Sequence, residues 1–284
     1  MQDGPAETRV NALFARRHSG DVRPPAVAGS FYPGEVGELQ AYVERSLSQA
    51  KAASVGDLVG LIAPHAGSMY SGGVAAESFA SIAPTGKIFA RVLLIGPPHY
   101  VPVRGIAAPS ARAFATPLGE VPVDSAVIRS LQDSGLVAID DEPHAPEHSL
   151  EVELPFLQAM LGDFTIVPLL VGSARPEQVA DIIGDVIDEQ TLLVVSSDLS
   201  HYLDDATARR RDEATAQTIE SLDFDRLGPQ DACGFSALNG ALCAARKEDW
   251  KIERLALDNS SATSGDFSRV VGYGAWALRG APRS

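Results

Sequence analysis

Every histidine in the chain except His18 stands in a short block that follows, or opens, an expected strand or helix. The blocks read Ala63-Pro64-His65-Ala66-Gly67, Gly96-Pro97-Pro98-His99-Tyr100, a stretch holding His144, Glu147-His148 and Glu151, and Ser196-Ser197-Asp198-Leu199-Ser200-His201. Imidazole ligates metals and titrates near neutrality, so histidines clustered beside carboxylates point to a metal or acid–base centre assembled from several loops. Proline and glycine flank His65 and His99. Such residues fix sharp turns and project each ring from a stiff backbone, as a ligand or general base requires. An ordinary tight turn uses the same residues, so each block alone says little.

Two further groups bear on the chemistry. Cys233 precedes Gly234 and a helical run over 236–248. A helix N-terminus there favours a thiolate, which is both a nucleophile and a soft metal ligand, with a depressed pKa expected. The residues alone leave open whether Cys233 is that thiolate or a small buried apolar group. Cys243, beside Leu238 and Leu242 within the run, reads as core. His148 and Glu151 are three apart and would share a helix face, as a proton-transfer pair or as outer groups that orient a ligand. Glu151 fits a helix start equally well, and Pro155 disturbs the register. The turn-rich segment 259–268 either lines a pocket or caps turns. No GxGxxG, P-loop, HExxH or GxSxG pattern occurs in the required context.

The elements that must position these residues are legible from apolar patterning. Runs at 58–63, 91–95, 164–171, 192–196 and 270–278 are short and rich in Val, Ile and Leu, as strands buried on both faces are. Helical spacing marks 36–49, with Leu39, Tyr42, Val43 and Leu47, and also 73–82, 124–133, 176–189, 206–222 and 236–248. Strands alternating with helices indicate an α/β layered fold, a sheet flanked by helices. In such sheets ligands bind beyond the carboxyl ends of strands. His65, His99 and Asp198 each follow a different expected strand within a few residues, a coincidence that core packing does not require. The segment 109–123, with Phe114 and Thr116-Pro117-Leu118-Gly119, reads as a long loop or short hairpin.

Composition narrows the partners. The 284 residues are 45% hydrophobic and carry a formal net charge of −14. An acidic surface repels phosphate backbones, so nucleic acid is not an expected partner. No apolar run approaches the roughly 20 residues that span a bilayer, so no membrane is expected either. Arg9, Asn11, Arg16 and Arg17 interrupt any signal-peptide core, and Asp3 and Glu7 weaken a transit reading. Residues 1–22 read as a disordered extension, 23–284 as one domain, and the location as cytoplasmic. The two cysteines form no CxxC pair.

The ordered set of blocks resembles the Memo (mediator of cell motility) family. It runs from Pro25-Ala26-Val27-Ala28-Gly29-Ser30-Phe31-Tyr32-Pro33 through the histidine blocks and Ala232-Cys233-Gly234 to Asn259, Gly265-Asp266, Ser268 and Val270-Val271-Gly272-Tyr273. Within the family it is similar to the B-type protein of the bacterial AmmeMemoRadiSam system. The resemblance implies a fold like that of class III extradiol dioxygenases, a central mixed β-sheet flanked by helices on both faces in an α/β/α sandwich. It implies a metal held by His65, His99 and Cys233, with Asp198, His201 and His148 as catalytic groups beside it. Iron(II) is the metal implied first, and copper the alternative. The function implied is a metal-dependent oxidoreductase acting on a small-molecule or peptide ligand, with radical-SAM and AMMECR-type system partners. The competing readings are a non-catalytic adaptor or ligand-binding protein using the same pocket, and a metal-assisted hydrolase. Tyr100 stands where some relatives carry a second histidine after His99. A thiolate in place of a carboxylate changes metal preference, so ring cleavage does not follow from the fold.

Overall fold

A computed structural model describes residues 22–280 apart from 52, 54 and 55. The extension expected over 1–22 lies outside the described residues except for Val22, which is already in a strand. The first half of the chain forms β1 (Val22–Arg23), α1 (Val36–Gln49), β2 (Leu58–Ala63), α2 (Ser68–Ala80), β3 (Arg91–Gly96), β4 (Ile106–Ala108), β5 (Ala113–Thr116), β6 (Gly119–Pro122), α3 (Ser125–Asp133) and β7 (Ala138–Ile139). The second half forms α4 (Leu154–Met160), β8 (Thr165–Val171), α5 (Pro176–Val186), β9 (Thr191–Ser196), β10 (His201–Leu203), α6 (Asp205–Glu220), α7 (Phe235–Lys247), β11 (Lys251–Asn259), α8 (Ser261–Ser264) and β12 (Val270–Arg279).

The large sheet runs β10-β12-β2-β9-β3-β8-β4-β7, with β11 along the outer side of β12. Strands β2, β9, β3 and β8 are mutually parallel, whereas β12 is antiparallel to β2 and β4 antiparallel to β8. The sheet is therefore mixed, as expected. Nearly every residue of the four parallel strands is buried, which explains their unbroken aliphatic runs. Helices cover both faces. Helix α2 packs on β2, β11 and β12 with α1 and α4 against it, while α7 lies on β9, paired with α5, and α6 on β11 and β12. No helix among the described residues is long and apolar enough to cross a membrane.

Three local outcomes depart from, or refine, the patterning. The segment 109–123 is a hairpin: Phe114 pairs with Val121, and Gly119 takes φ 131° at the turn, a region closed to residues with a Cβ. It forms a small second sheet with β1. The stretch over 147–156 is a series of turns that becomes helical only at Leu154, because Pro155 sits in the first turn, where its missing N–H costs nothing. His148 and Glu151 therefore share no helix face. Strand β11 escapes an apolar criterion because Lys251, Glu253 and Arg254 interrupt it. It is half-exposed over 252–258 and carries a bulge between Arg254 and Ala256.

Candidate metal centre

Strand β9 lies between β2 and β3, so residues leaving the carboxyl ends of these parallel strands arrive side by side. Ala63 pairs with Ser196, and Ser197 N–H donates to Ala63 O (2.9 Å) just beyond. Asp198 Oδ1 then accepts the backbone N–H groups of His65 (2.9 Å) and Ala66 (3.3 Å). A carboxylate from one strand end thus fixes the turn that carries an imidazole from the next. The His65 ring is buried, with Nδ1 2.7 Å from Ser196 Oγ and Nε2 3.3 Å from Cys233 Sγ.

Cys233 reaches that position because the chain before α7 runs against the end of β9. Its N–H donates to Asp198 O (3.2 Å), and its sulfur accepts the Asp198 N–H (3.3 Å). The approach requires Gly234, whose N–H donates to Ser197 Oγ (2.9 Å). A Cβ there would lie 2.7 Å from Ser197 Cβ and 2.9 Å from Ser196 O. Helix α7 starts only at Phe235, with Gly234 as its cap, so Cys233 stands one residue before the cap. Burial, with the neighbouring Asp198 charge, pushes its thiol up. The depressed pKa expected from a helix N-terminus is therefore not found: desolvation outweighs the dipole.

His99 and His148 are placed together by Glu147. Its Oε1 lies 2.8 Å from His99 Nδ1 and accepts the N–H groups of His148 and Ser149 (both 2.9 Å), while Oε2 accepts His99 N–H. Ser149 Oγ donates to Pro97 O (2.8 Å), stitching the turn segment to the loop after β3. The His148 ring stacks on His99 with centroids 4.5 Å apart and meets His65 edge-on at 5.4 Å. One ligand-capable atom from each of His65, His99 and His148 lies within 4.8 Å of the others. Ser196 Oγ, below His65, also donates to Ser149 O (2.7 Å) and lies 2.8 Å from Glu153 Oε1.

Glu151 belongs elsewhere. Its carboxylate is fully buried and accepts four bonds, from Arg23 Nη1 (2.7 Å), Ala26 N (2.7 Å), Val27 N (3.0 Å) and the Tyr32 hydroxyl (2.6 Å). It clasps the segment 23–32 to the body of the protein and has no oxygen left for proton transfer with His148. His144 is likewise structural: its buried ring has Nε2 3.1 Å from Ala107 O, and its carbonyl accepts Arg23 Nε–H (2.6 Å). The polar segment 259–268 largely closes its own turns, with Ser261 N–H donating to Asn259 Oδ1 and Ser268 N–H to Asp266 Oδ1.

Burial dominates the electrostatics. It pushes His65 well below its ordinary value, reinforced by any charge on His99, His148 or His201, and it pulls His148 down to about 4. It raises Asp198 to about 7, against the two N–H bonds that favour the anion. Burial would also raise Glu147, but the bonds from His99 and Ser149 win and hold it at about 2. His201 Nδ1–H donates to Leu199 O (2.8 Å), and burial lowers its pKa, with the His99 charge acting in the same direction.

The structure thus brings His65, His99, His148, Cys233 and Asp198 together, with His201 within electrostatic reach at the start of β10. The three-imidazole group has His148 as its third member, while Cys233 adjoins it through His65. Glu147, Ser196 and Glu153 were not singled out by their spacing. Glu153 did carry a signal, as a carboxyl between Val152 and Leu154 in an apolar run.

Fold and site together define an α/β layered protein with an imidazole cluster at the carboxyl edge of its parallel strands, buried at His65 and His148 and open to the surface at His99. A family model described as Memo-like protein matches residues 23–277, and the chain belongs to the Memo family. A "MEMO1 family protein" of Sulfurisphaera tokodaii is 34% identical over 277 residues, covering 89% of this chain and 97% of that one. One from Thermoplasma acidophilum is 33% identical over 264 residues (88% and 96%), and one from Nitrosopumilus maritimus 31% over 273 residues (89% and 98%). Among solved structures, an uncharacterized protein from Escherichia coli aligns over 76% of this chain and 99% of its own, with a TM-score of 0.48 and 14% identity.

Proposed function

We propose that the protein is a metal-dependent oxidoreductase whose cation is held by His65, His99 and His148, with Cys233 as the sulfur donor. The observation that carries this reading is the meeting of three imidazole ligand atoms within 4.8 Å of one another. The donor set suits a cation in three further respects. His148 Nδ1 is buried and makes no aligned hydrogen bond, its ion-pair partner being Glu147 Oε1 at 3.3 Å. Burial keeps His65 and His148 neutral at pH 7, the form that donates to metals. Glu147 on His99 Nδ1 and Ser196 on His65 Nδ1 are the kind of outer partners that orient metal-binding imidazoles. Iron(II) is the proposed ion, and copper the alternative that a sulfur donor favours. When bound, such an ion supplies Lewis acidity and a redox couple.

The chain's own groups then do the rest. Asp198, buried at the turn, holds the His65 backbone in place, and its carboxyl sits where it can give or take a proton near neutrality. His201 has Nδ1 committed to Leu199 O, which leaves Nε2 as its proton acceptor. Both cysteines are free thiols, in accord with a cytoplasmic location. Membership of the AmmeMemoRadiSam system, with its radical-SAM and AMMECR-type partners, is part of the proposal and rests on the sequence resemblance.

Metal analysis after anaerobic iron(II) loading tests the assignment. Wild type should retain a single equivalent, His65→Ala and His99→Ala should retain little, and Cys233→Ala should bind more weakly, whereas Cys243→Ala should match wild type. Equal metal content across the set would overturn the reading. One observation favours ligand binding without turnover: exposed Tyr100 and Tyr202 flank the cluster, with rings 5.7 Å from those of His148 and His201. Exposed amphipathic rings beside the cluster suit recognition. Tight metal binding without dioxygen consumption for any small-molecule or peptide ligand would favour that reading.

A further inference from the structure

Ser196 Oγ is the centre of three short contacts, 2.7 Å to Ser149 O, 2.7 Å to His65 Nδ1 and 2.8 Å to Glu153 Oε1. Contacts of this length each need one proton between the heavy atoms. A hydroxyl has one proton to give and can accept two. Ser149 O is a backbone carbonyl with no proton, so the Ser196 hydroxyl must donate to it. The protons in the other two contacts must then come from the partners.

We infer that Glu153 is a neutral carboxylic acid in the folded protein and that Ser196, which accepts its proton while donating to Ser149 O, holds His65 as the Nδ1–H tautomer, whose Nε2 lone pair faces Cys233. Glu153 Oε1–H and His65 Nδ1–H both donate to Ser196 Oγ. If Glu153 were ionised, Ser196 would have one proton for two acceptors, and two oxygens would face each other at 2.7–2.8 Å with nothing between them. If His65 carried its proton on Nε2, Nδ1 would compete for that same proton.

Independent features agree. Glu153 is 0% exposed, and its Oε2 has no hydrogen-bond partner. For a carboxylate this would strand a charged oxygen in the core, whereas for an acid it is a bare carbonyl. Glu153 occupies the cap position of α4, yet its side chain bonds none of that helix's N–H groups. Burial, reinforced by the Asp198 charge and only partly opposed by Ser196, drives its pKa well above the usual carboxyl range. Glu153 is thus a positioning residue that acts on Ser196: by donating to its hydroxyl it keeps that group's own proton on Ser149 O and its second lone pair turned to His65. What the Nε2 lone pair is for rests on the metal reading above; the proton positions do not.

The test uses metal-free, full-length protein at neutral pH. An infrared difference spectrum of carboxyl-labelled wild type against Glu153→Gln should show the carbonyl stretch of a protonated acid. Long-range proton–nitrogen correlations, assigned by loss in His65→Gln, should show His65 protonated on Nδ1. Zinc(II) titration, with a redox-inert probe, supplies the functional readout. Glu153→Gln, whose amide can donate to Ser196 in the same place, should bind close to wild type, while Ser196→Ala and Glu153→Leu should lose affinity about 10–100-fold. A carboxylate signature at Glu153, an Nε2–H His65, or equal losses in Glu153→Gln and Glu153→Leu would each overturn the inference. If wild type binds no zinc, the metal reading fails, and the infrared band and the tautomer still decide this one.

Discussion

At the scale of single residues, the five histidines outside the tail divide by what their ring nitrogens face. His65, His99 and His148 turn nitrogens toward one another, His201 stands nearby, and His144 gives its ring to the core. His144 therefore makes a distinct prediction. Burial lowers its folded pKa to about 4, against about 6.5 unfolded. Between those values the unfolded chain binds the extra proton, so this stability is complete above pH 6.5 and is lost as pH falls toward 4, by an amount on the order of 3 kcal/mol. Urea midpoints measured across that window should fall less steeply in His144→Gln, which keeps a donor for Ala107 O without a titrating ring; parallel curves would contradict the assignment. From sequence, His144 and His148 looked alike, since both sit in one polar stretch. What separates them is a rotation of the chain through consecutive turns, and no periodicity encodes that. The roles of Glu147 and Glu153 were hidden for the same reason, because a carboxyl in a turn points wherever its backbone does.

At the scale of elements, the strands that carry the site were the most legible part of the chain. Leu58–Ala63 coincides with its expected span, and β3, β8, β9 and β12 differ from theirs by a residue at an end. Burial on both faces selects unbroken aliphatic runs, and such runs survive without tertiary context. Strand β11 lacks that pressure at the half-exposed sheet edge and was missed. The connection into α7 was read as a helix start, but its function is contact: Gly234 lets the chain press against Ser196 and Ser197. Gly234→Ala should cost about 1–3 kcal/mol and weaken zinc binding by displacing Cys233. Gly228→Ala, whose Cβ would meet only Asp231 Oδ2 at 3.7 Å, is the control that should change neither. Unchanged zinc affinity in a folded Gly234→Ala would show that the sulfur does not depend on this close approach.

At the scale of the whole molecule, nine of the strands join one mixed sheet, and the site takes residues from the ends of three neighbours in it. Four buried carboxyls have fixed tasks: Glu147 orients His99, Asp198 braces the His65 turn, Glu153 holds Ser196 and Glu151 clasps the segment 23–32. The clasp has a consequence in time. The segment 23–32 contains little regular structure, and by that measure its amides should exchange with solvent in the manner of a loop. Ala26 and Val27, however, donate theirs to a carboxylate that is also held by Arg23 and Tyr32. Neither amide can meet water until the carboxylate is uncovered, and that opening would uncover Phe31, whose ring lies 4.6 Å from that of His148. Deuterium exchange at Ala26 and Val27 should therefore report the same slow, collective opening as the amides of β9, not the fast fraying of a terminus. In kinetic terms, the segment 23–32 is a latch that opens only with the body of the protein.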